Sequence, residues 1–179
     1  MVPEDIIKKY YKEGSELYKI LLTHSLAVAD KALEISRMHQ EMNIDERFVY
    51  EAALLHDIGV FQTKAPKIHC FGVHPYICHG YLGGEIMRKE GFEKHALVCE
   101  RHTGSGLTKE NIVNKKLPIP HKDMLPVTIE EKLICFSDKF YSKSNPDQVK
   151  TVDQVREHLL KHGHFSLNRF DEMLKLFIG

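Results

Sequence analysis

Apolar residues at Leu17, Leu21, Val28, Ala32 and Ile35, with His24 in register among them, step by threes and fours along one face. That spacing predicts an amphipathic helix with His24 turned to the interior, where an imidazole needs a hydrogen-bond partner or a metal. A second helix is predicted from about Asn43 or Asp45 through Phe48, Val49, Ala52 and Leu55 to His56-Asp57, with Gly59 as its C-terminal cap. The pattern then breaks from Val60 to Pro75, which reads as a loop of about 15 residues. Pro75 opens a third helix that carries His79 and ends near Gly91, and Gly80, Gly83 and Gly84 mark a face for close backbone approach. A fourth helix, Glu93 to Thr103, presents His102 near its end. A short helix from Thr108 and a loop holding Pro118, Pro120 and Pro126 follow. Thr128-Ile129-Glu130-Glu131 fits a capping box that starts a helix running to Asp138. Of the two C-terminal helices, one is capped by Thr151 with Gln154 and stops at Gly163. The other sets Leu167, Phe170, Leu174 and Phe177 on one side. Strand signals are nearly absent, so the fold class is all-α, a bundle of seven to nine helices.

Composition narrows the partners. With 179 residues and 42% hydrophobic content the chain reads as one domain, residues 1–179, with a core over about 17–142 and C-terminal helices over about 151–178 packed on it. The 25 basic residues match the 25 acidic ones, so no net field favours a nucleic-acid polymer or an anionic membrane. The charged start and the lack of a run near the ~20 apolar residues of a membrane span predict a cytoplasmic protein. Cys70, Cys78, Cys99 and Cys135 lie far apart, as expected of reduced thiols. Twelve histidines are the anomaly.

The doublet His56-Asp57 follows an apolar run and precedes Ile58-Gly59, setting two ligand types at one helix end. Imidazole with carboxylate suits iron, manganese or zinc. His24, His79, His102 and Asp138 fall on other predicted helices, so a bundle can bring all six to one interior point. Four imidazoles and two carboxylates hold two metals if Asp57 bridges them, about 3.5 to 4 Å apart, leaving positions for water and a phosphate ester. His69, Cys70, His74 and Cys78 lack the paired Cys-x-x-Cys spacing of a zinc knot. Lys64, Lys67, His74, Arg101, Lys109 and Lys139 are cationic candidates for phosphate contact, with Lys64, His74 and Arg101 favoured.

His24, the His56-Asp57 pair and Asp138 resemble the H…HD…D signature of the HD-domain phosphohydrolases, over roughly residues 17 to 142. His79 and His102 match the two intervening histidines of that family's dinuclear members. The stretch from His102 to Thr108, with Leu117-Pro118-Ile119-Pro120 and Glu130-Glu131-Lys132, is similar to an archaeal-type HDIG subgroup. It is less similar to the bacterial diadenosine tetraphosphate hydrolases, since Asp138 is followed by Lys139-Phe140-Tyr141-Ser142-Lys143. The resemblance implies that His24, His56, Asp57 and Asp138 hold one divalent metal and Asp57, His79 and His102 the other. Iron or manganese is favoured over zinc, nickel or cobalt. Asp57 would bridge and orient a metal-activated water, for hydrolysis of a small phosphate ester such as a nucleotide. Two alternatives stand beside it: a mixed-valent di-iron oxygenase with the same ligand set, and a nucleotide-binding module without turnover.

Overall fold

The computed structural model describes residues 1–179, arranged as nine α-helices with one two-stranded hairpin. Helix α1 (Pro3–Tyr10) starts on a proline whose missing N–H is harmless in a first turn, and it buries Ile6 and Ile7. The long α2 (Glu16–Met38) is capped by Ser15, whose hydroxyl accepts from Tyr18 N–H, and it buries Leu21, His24, Val28, Ala29, Ala32 and Ile35. Helix α3 (Glu46–Leu55), capped by Asp45, buries Val49 and the Ala52–Leu55 run. Every expected helix is present, and α1 is one that the apolar pattern did not announce.

Two apolar clusters flank the region where α2, α3 and α7 (Ile129–Asp138) meet. One centres on Phe136, whose ring lies 5.1, 5.3 and 5.6 Å from those of Phe140, Phe170 and Phe177. It pins α8 (Val152–Leu160) and α9 (His164–Phe177) against α2 and α7, each such side chain contributing roughly 1.5–3 kcal/mol by burial. The second gathers Ile7, Leu21, Leu55, Ile58, Met87 and Cys99 from the N-terminal half. Tyr11 belongs to it, and its hydroxyl donates to Ile58 O at 2.7 Å, which props the turn carrying the doublet. All four cysteines are buried and free. No helix is long and apolar enough to cross a membrane.

Local details depart from expectation where tertiary contacts decide. Residues 60–75 are short turns around a hairpin, β1 (Lys64–Ala65) with β2 (Cys70–Phe71), rather than plain loop. Pro75 precedes a single 3-10 turn, Tyr76–Cys78, and the regular helix α4 (His79–Lys89) begins at His79 itself. Gly59 is not a left-handed cap, for its φ is −82°. It is required because a Cβ there would sit 2.3 Å from His79 O and 2.4 Å from Gly83 N. Gly80 and Gly84 keep α4 equally close to α5 (Glu93–Arg101), where added Cβ atoms would meet Cys99 O at 2.6 Å and Ala96 O at 3.2 Å. The short α6 is Lys109–Asn114. The capping box at Thr128 is half made: Thr128 accepts from Glu131 N–H, but the Glu131 carboxylate turns to Val127 N–H and Arg101. At Thr151 and Gln154 both halves form.

Candidate metal centre

Five of the six candidate residues stand at helix ends, His56, Asp57, His102 and Asp138 at C-terminal ends, where backbone carbonyls are left without intrahelical donors, and His79 at the start of α4. His56 follows α3 and its Nδ1–H donates to Ala53 O at 2.6 Å. His102 follows α5 and donates likewise to Cys99 O at 2.7 Å. His79, after its 3-10 turn, donates to Tyr76 O at 2.7 Å. In each the ring folds back on the carbonyl three residues earlier. A carbonyl only accepts, so Nδ1 bears the proton, and in the neutral ring Nε2 presents a lone pair.

Those lone pairs converge. His24, His56, Asp57 and Asp138 offer ligand atoms lying within 4.8 Å of one another, and so do Asp57, His79 and His102. Asp57 Oδ2 is 3.2 Å from His24 Nε2 and 2.9 Å from His56 Nε2, with Asp138 Oδ1 3.0 and 3.4 Å from the same two nitrogens. The other oxygen, Oδ1, is 3.4 Å from both His79 Nε2 and His102 Nε2, which are 3.0 Å apart. One carboxylate thus faces both groups, an oxygen to each.

Fit to a cation can be tested on these atoms alone. His56 Nε2 and both Asp57 oxygens are buried and make no hydrogen bond of acceptable geometry, despite neighbours at these distances. Two neutral imidazole lone pairs facing each other at 3.0 Å repel unless a cation lies against both. Separations of 2.9 to 3.4 Å are also the edges expected between ligands that share an ion at about 2.1 Å. The donor set of each group fits a divalent ion. His24 is the exception in anchoring, since its Nδ1 is buried without a partner.

Electrostatics point the same way. Burial pushes the carboxyls of Asp57 and Asp138 up, but His56 with Lys143 at Asp57, and Lys139 with His24 and His56 at Asp138, hold both well below the usual range. Burial alone would lower His56, yet the two carboxylates carry it up to about 9. His79 is pushed down to about 3 chiefly by burial, and His102 is lowered for the same reason. Carboxylates that attract a proton to His56 attract a divalent ion to the same place, and the two compete.

Two lysines complete the site. Lys143 Nζ lies 2.5 Å from Asp57 Oδ2, and Lys139 Nζ lies 2.6 Å from Asp138 Oδ2 while donating to His102 O at 3.0 Å. Burial works against the Lys143 charge, but Asp57, Tyr76 and Asp138 keep it protonated. Tyr76 stacks on His79 at 4.6 Å, and burial pushes its hydroxyl up to about 12. A cavity of about 840 Å³ opens from His79, His102 and Asp138, with Lys67, Lys139 and Lys143 in its wall.

The favoured phosphate-contacting cations do not reach that cavity. Lys64 is exposed on β1 and His74 is exposed past β2, the two joined through Lys64 N–H to His74 O, and Arg101 is bound by Glu131 at 2.9 Å. Reasoning from the chain weighed Lys139 and Lys67 without favouring them, and passed over Lys143, Tyr76 and Lys150. The signal available was the run Lys139, Lys143, Lys150 with only Asp147 among them after Asp138.

Residues 21–142 match the family model described as HD domain. An uncharacterized protein of Methanocaldococcus jannaschii is 35% identical over 152 residues, covering 83% of this chain and 82% of its own. Two proteins named tRNA (cytidine(56)-2'-O)-methyltransferase are also similar. The one from Thermoplasma volcanium is 29% identical over 171 residues, 94% of this chain and 45% of its own length. The one from Picrophilus torridus is 32% identical over 145 residues, 80% of this chain and 39% of its own. This chain therefore spans less than half the length of either methyltransferase. No solved structure matches it.

Proposed function

The chain belongs to the HD domain family, within the metal-dependent phosphohydrolase superfamily, and on that premise we propose that it hydrolyses a small phosphate monoester or diester of nucleotide size. The observation that carries this reading is the bridging position of Asp57, one oxygen toward each histidine group, with a lysine-lined cavity beginning at the same residues. His24, His56, Asp57 and Asp138 would hold one ion, and Asp57, His79 and His102 the second. Mixed nitrogen and oxygen donors favour iron or manganese. A bound divalent pair supplies Lewis acidity toward a phosphoryl oxygen and lowers the pKa of water.

The chain's own residues do the rest. In hydrolysis the ester P–O bond breaks as a water oxygen bonds to phosphorus, one proton passing to the leaving oxygen and the other to solvent. Lys143 and Lys139, both held protonated, set positive charge beside the phosphoryl oxygens, and a lysine so held is suited to neutralise charge rather than to accept a proton. Tyr76 fixes the His79 ring by stacking and shields that side from water. Tyr141 and Phe165 in the cavity wall give a base or sugar an apolar surface, and the volume lies in the range of nucleotide-sized sites. A cytoplasmic setting is part of the same proposal. The methylation named for the two longer relatives is not carried over to this chain.

The test is phosphate release by anaerobically purified protein reloaded with iron or manganese, on monoesters, cyclic nucleotides and dinucleotides. Release that requires the metal supports the reading. Oxygen consumption without phosphate release would move the chain to the oxygenase alternative, and nucleotide binding with neither would leave a binding module.

A further inference from the structure

The cavity does not end at the histidines and aspartates. Beyond Asp138 its wall continues through Lys150 to His158 and His162, and the start of α9 closes that end. Asp138 is the one carboxylate in the lining, and Lys139 is already paired with it as Lys143 is with Asp57. Lys150, His158 and His162 enter no ion pair.

Their placement is built by the fold. The Lys150 backbone N–H donates to Phe140 O at 2.8 Å, which folds the segment after α7 back on itself and brings a half-buried Lys150 next to the turn bearing Lys139. The His158 and His162 rings meet edge to face at 5.2 Å, His158 on the last turn of α8 and His162 in the turn that follows it, at the cavity mouth. Burial lowers the Lys150 ammonium, and Lys139 and Lys143 lower it further against the pull of Asp138. Burial lowers His158 too, with Lys150 and His162 adding to it. Lys150 thus stands on one concave wall as a cation with no acid paired to it, beside two imidazoles able to donate hydrogen bonds, an arrangement that favours an anion in the space they face. Lys150, His158 and His162 lie outside residues 21–142, which the family model matches.

We propose that the substrate carries two separate phosphate groups, the reacting one at the histidine–aspartate centre and the other held by Lys150 with His158 and His162, making it a small bisphosphate of nucleotide size. Only the reacting end rests on the phosphohydrolase reading. The second subsite is a matter of binding.

The test is calorimetric titration of the full metal-loaded chain with adenosine 3′,5′-bisphosphate, adenosine 2′,5′-bisphosphate and adenosine 5′-monophosphate, with phosphate release followed in parallel. At least one bisphosphate should bind about 10-fold or more tightly than the monophosphate, as a charge-assisted phosphate contact requires. K150M should bring that affinity to within about twofold of the monophosphate, and K150R should retain the preference. H158Q, scored beside thermal midpoints of all variants, gives a second reading if K150M folds poorly. Equal affinity for all three ligands, no binding of any, or a preference that survives both K150M and H158Q would overturn the proposal. A preference abolished by K150M without phosphate release supports the subsite while removing the hydrolase reading. Hydrolysis with equal affinities does the reverse.

Discussion

Replacing Gly59 with alanine tests whether close backbone packing holds the second half of the metal centre. The added Cβ would lie 2.3 Å from His79 O, 2.4 Å from Gly83 N and 2.9 Å from Gly83 Cα, roughly 1 Å short of ordinary contact at the nearest atoms. Gly59 has φ −82° and ψ −5°, which alanine adopts freely, so no backbone strain enters. The obstructing atoms are all main chain, and relief means moving the first turn of α4. Such overpacking costs about 3 kcal/mol, the upper end of the usual range, and less than about 1 kcal/mol returns through the stiffer unfolded chain. A net loss near 2 kcal/mol lowers the thermal midpoint by about 4–8 °C. Gly83→Ala is the control. Its Cβ would meet Cys99 Cβ and Gly59 N at 3.3 Å, a shortfall of tenths of an ångström, and alanine is favoured in mid-helix by about 1 kcal/mol. That variant should stay within about 3 °C of wild type. Because α4 begins with His79, Gly59→Ala should also bind about one fewer ion after dialysis, and adding it to His79→Ala should cause no further loss. Equal midpoints for the two glycine variants, or wild-type metal content in Gly59→Ala, would refute the argument.

His79→Ala and His102→Ala should each lose about half of the bound metal by elemental analysis, and Asp57→Ala nearly all; unchanged occupancy in Asp57→Ala would end the bridging assignment. Lys143→Met should keep its metal yet release phosphate about 100-fold more slowly, in line with loss of one charge-stabilising donor; an unaltered rate would take Lys143 out of the reaction. Glu100, whose side chain is 3% exposed, bonds Arg88 at 2.7 Å and Lys122 at 3.1 Å. Burial raises its carboxyl, but those cations hold it below the ordinary range. A depressed folded-state pKa contributes stability that is present above the unfolded value, about 4.3, and is lost as pH falls through the folded one. Glu100→Gln should therefore cost about 1–3 kcal/mol at pH 7, and less on acidification through that window. A gap that widens in acid would contradict this sign.

The parts legible in the chain are those with a local cause. Stepped apolar residues located α2 and turned His24 inward; an apolar run ending at His56-Asp57 located α3. Gly59 was recognised as special for the wrong reason, because a left-handed cap and a close main-chain approach both demand glycine and only the fold separates them. Arg101 was favoured and Lys143 passed over for a related cause. Arg101 stands next to His102, yet Glu131, distant in sequence, claims it. Lys143 follows Asp138 in an irregular segment, and nothing periodic shows that its ammonium returns to Asp57.

The histidines show how a site scattered over the chain is made rigid without a long-range network. His56, His79 and His102 each donate Nδ1–H to the carbonyl three residues back, at 2.6 to 2.7 Å, so a helix end or turn supplies both the acceptor and the ring orientation. The fold then has only to place three short segments, and Gly59, Gly80 and Gly84 let α4 come near enough to do so. His24 lies mid-helix, where preceding carbonyls are already used, and its Nδ1 finds no acceptor. Its ring is positioned instead by Asp138 and Asp57, 3.0 and 3.2 Å from Nε2. Both histidines of the second group, His79 and His102, are therefore oriented by their own backbone, whereas in the first group only His56 is, and His24 depends on carboxylates from two separate elements. Because His79 takes its orientation from the main chain that Gly59 touches, a clash at Gly59 should empty the second group and leave the first filled.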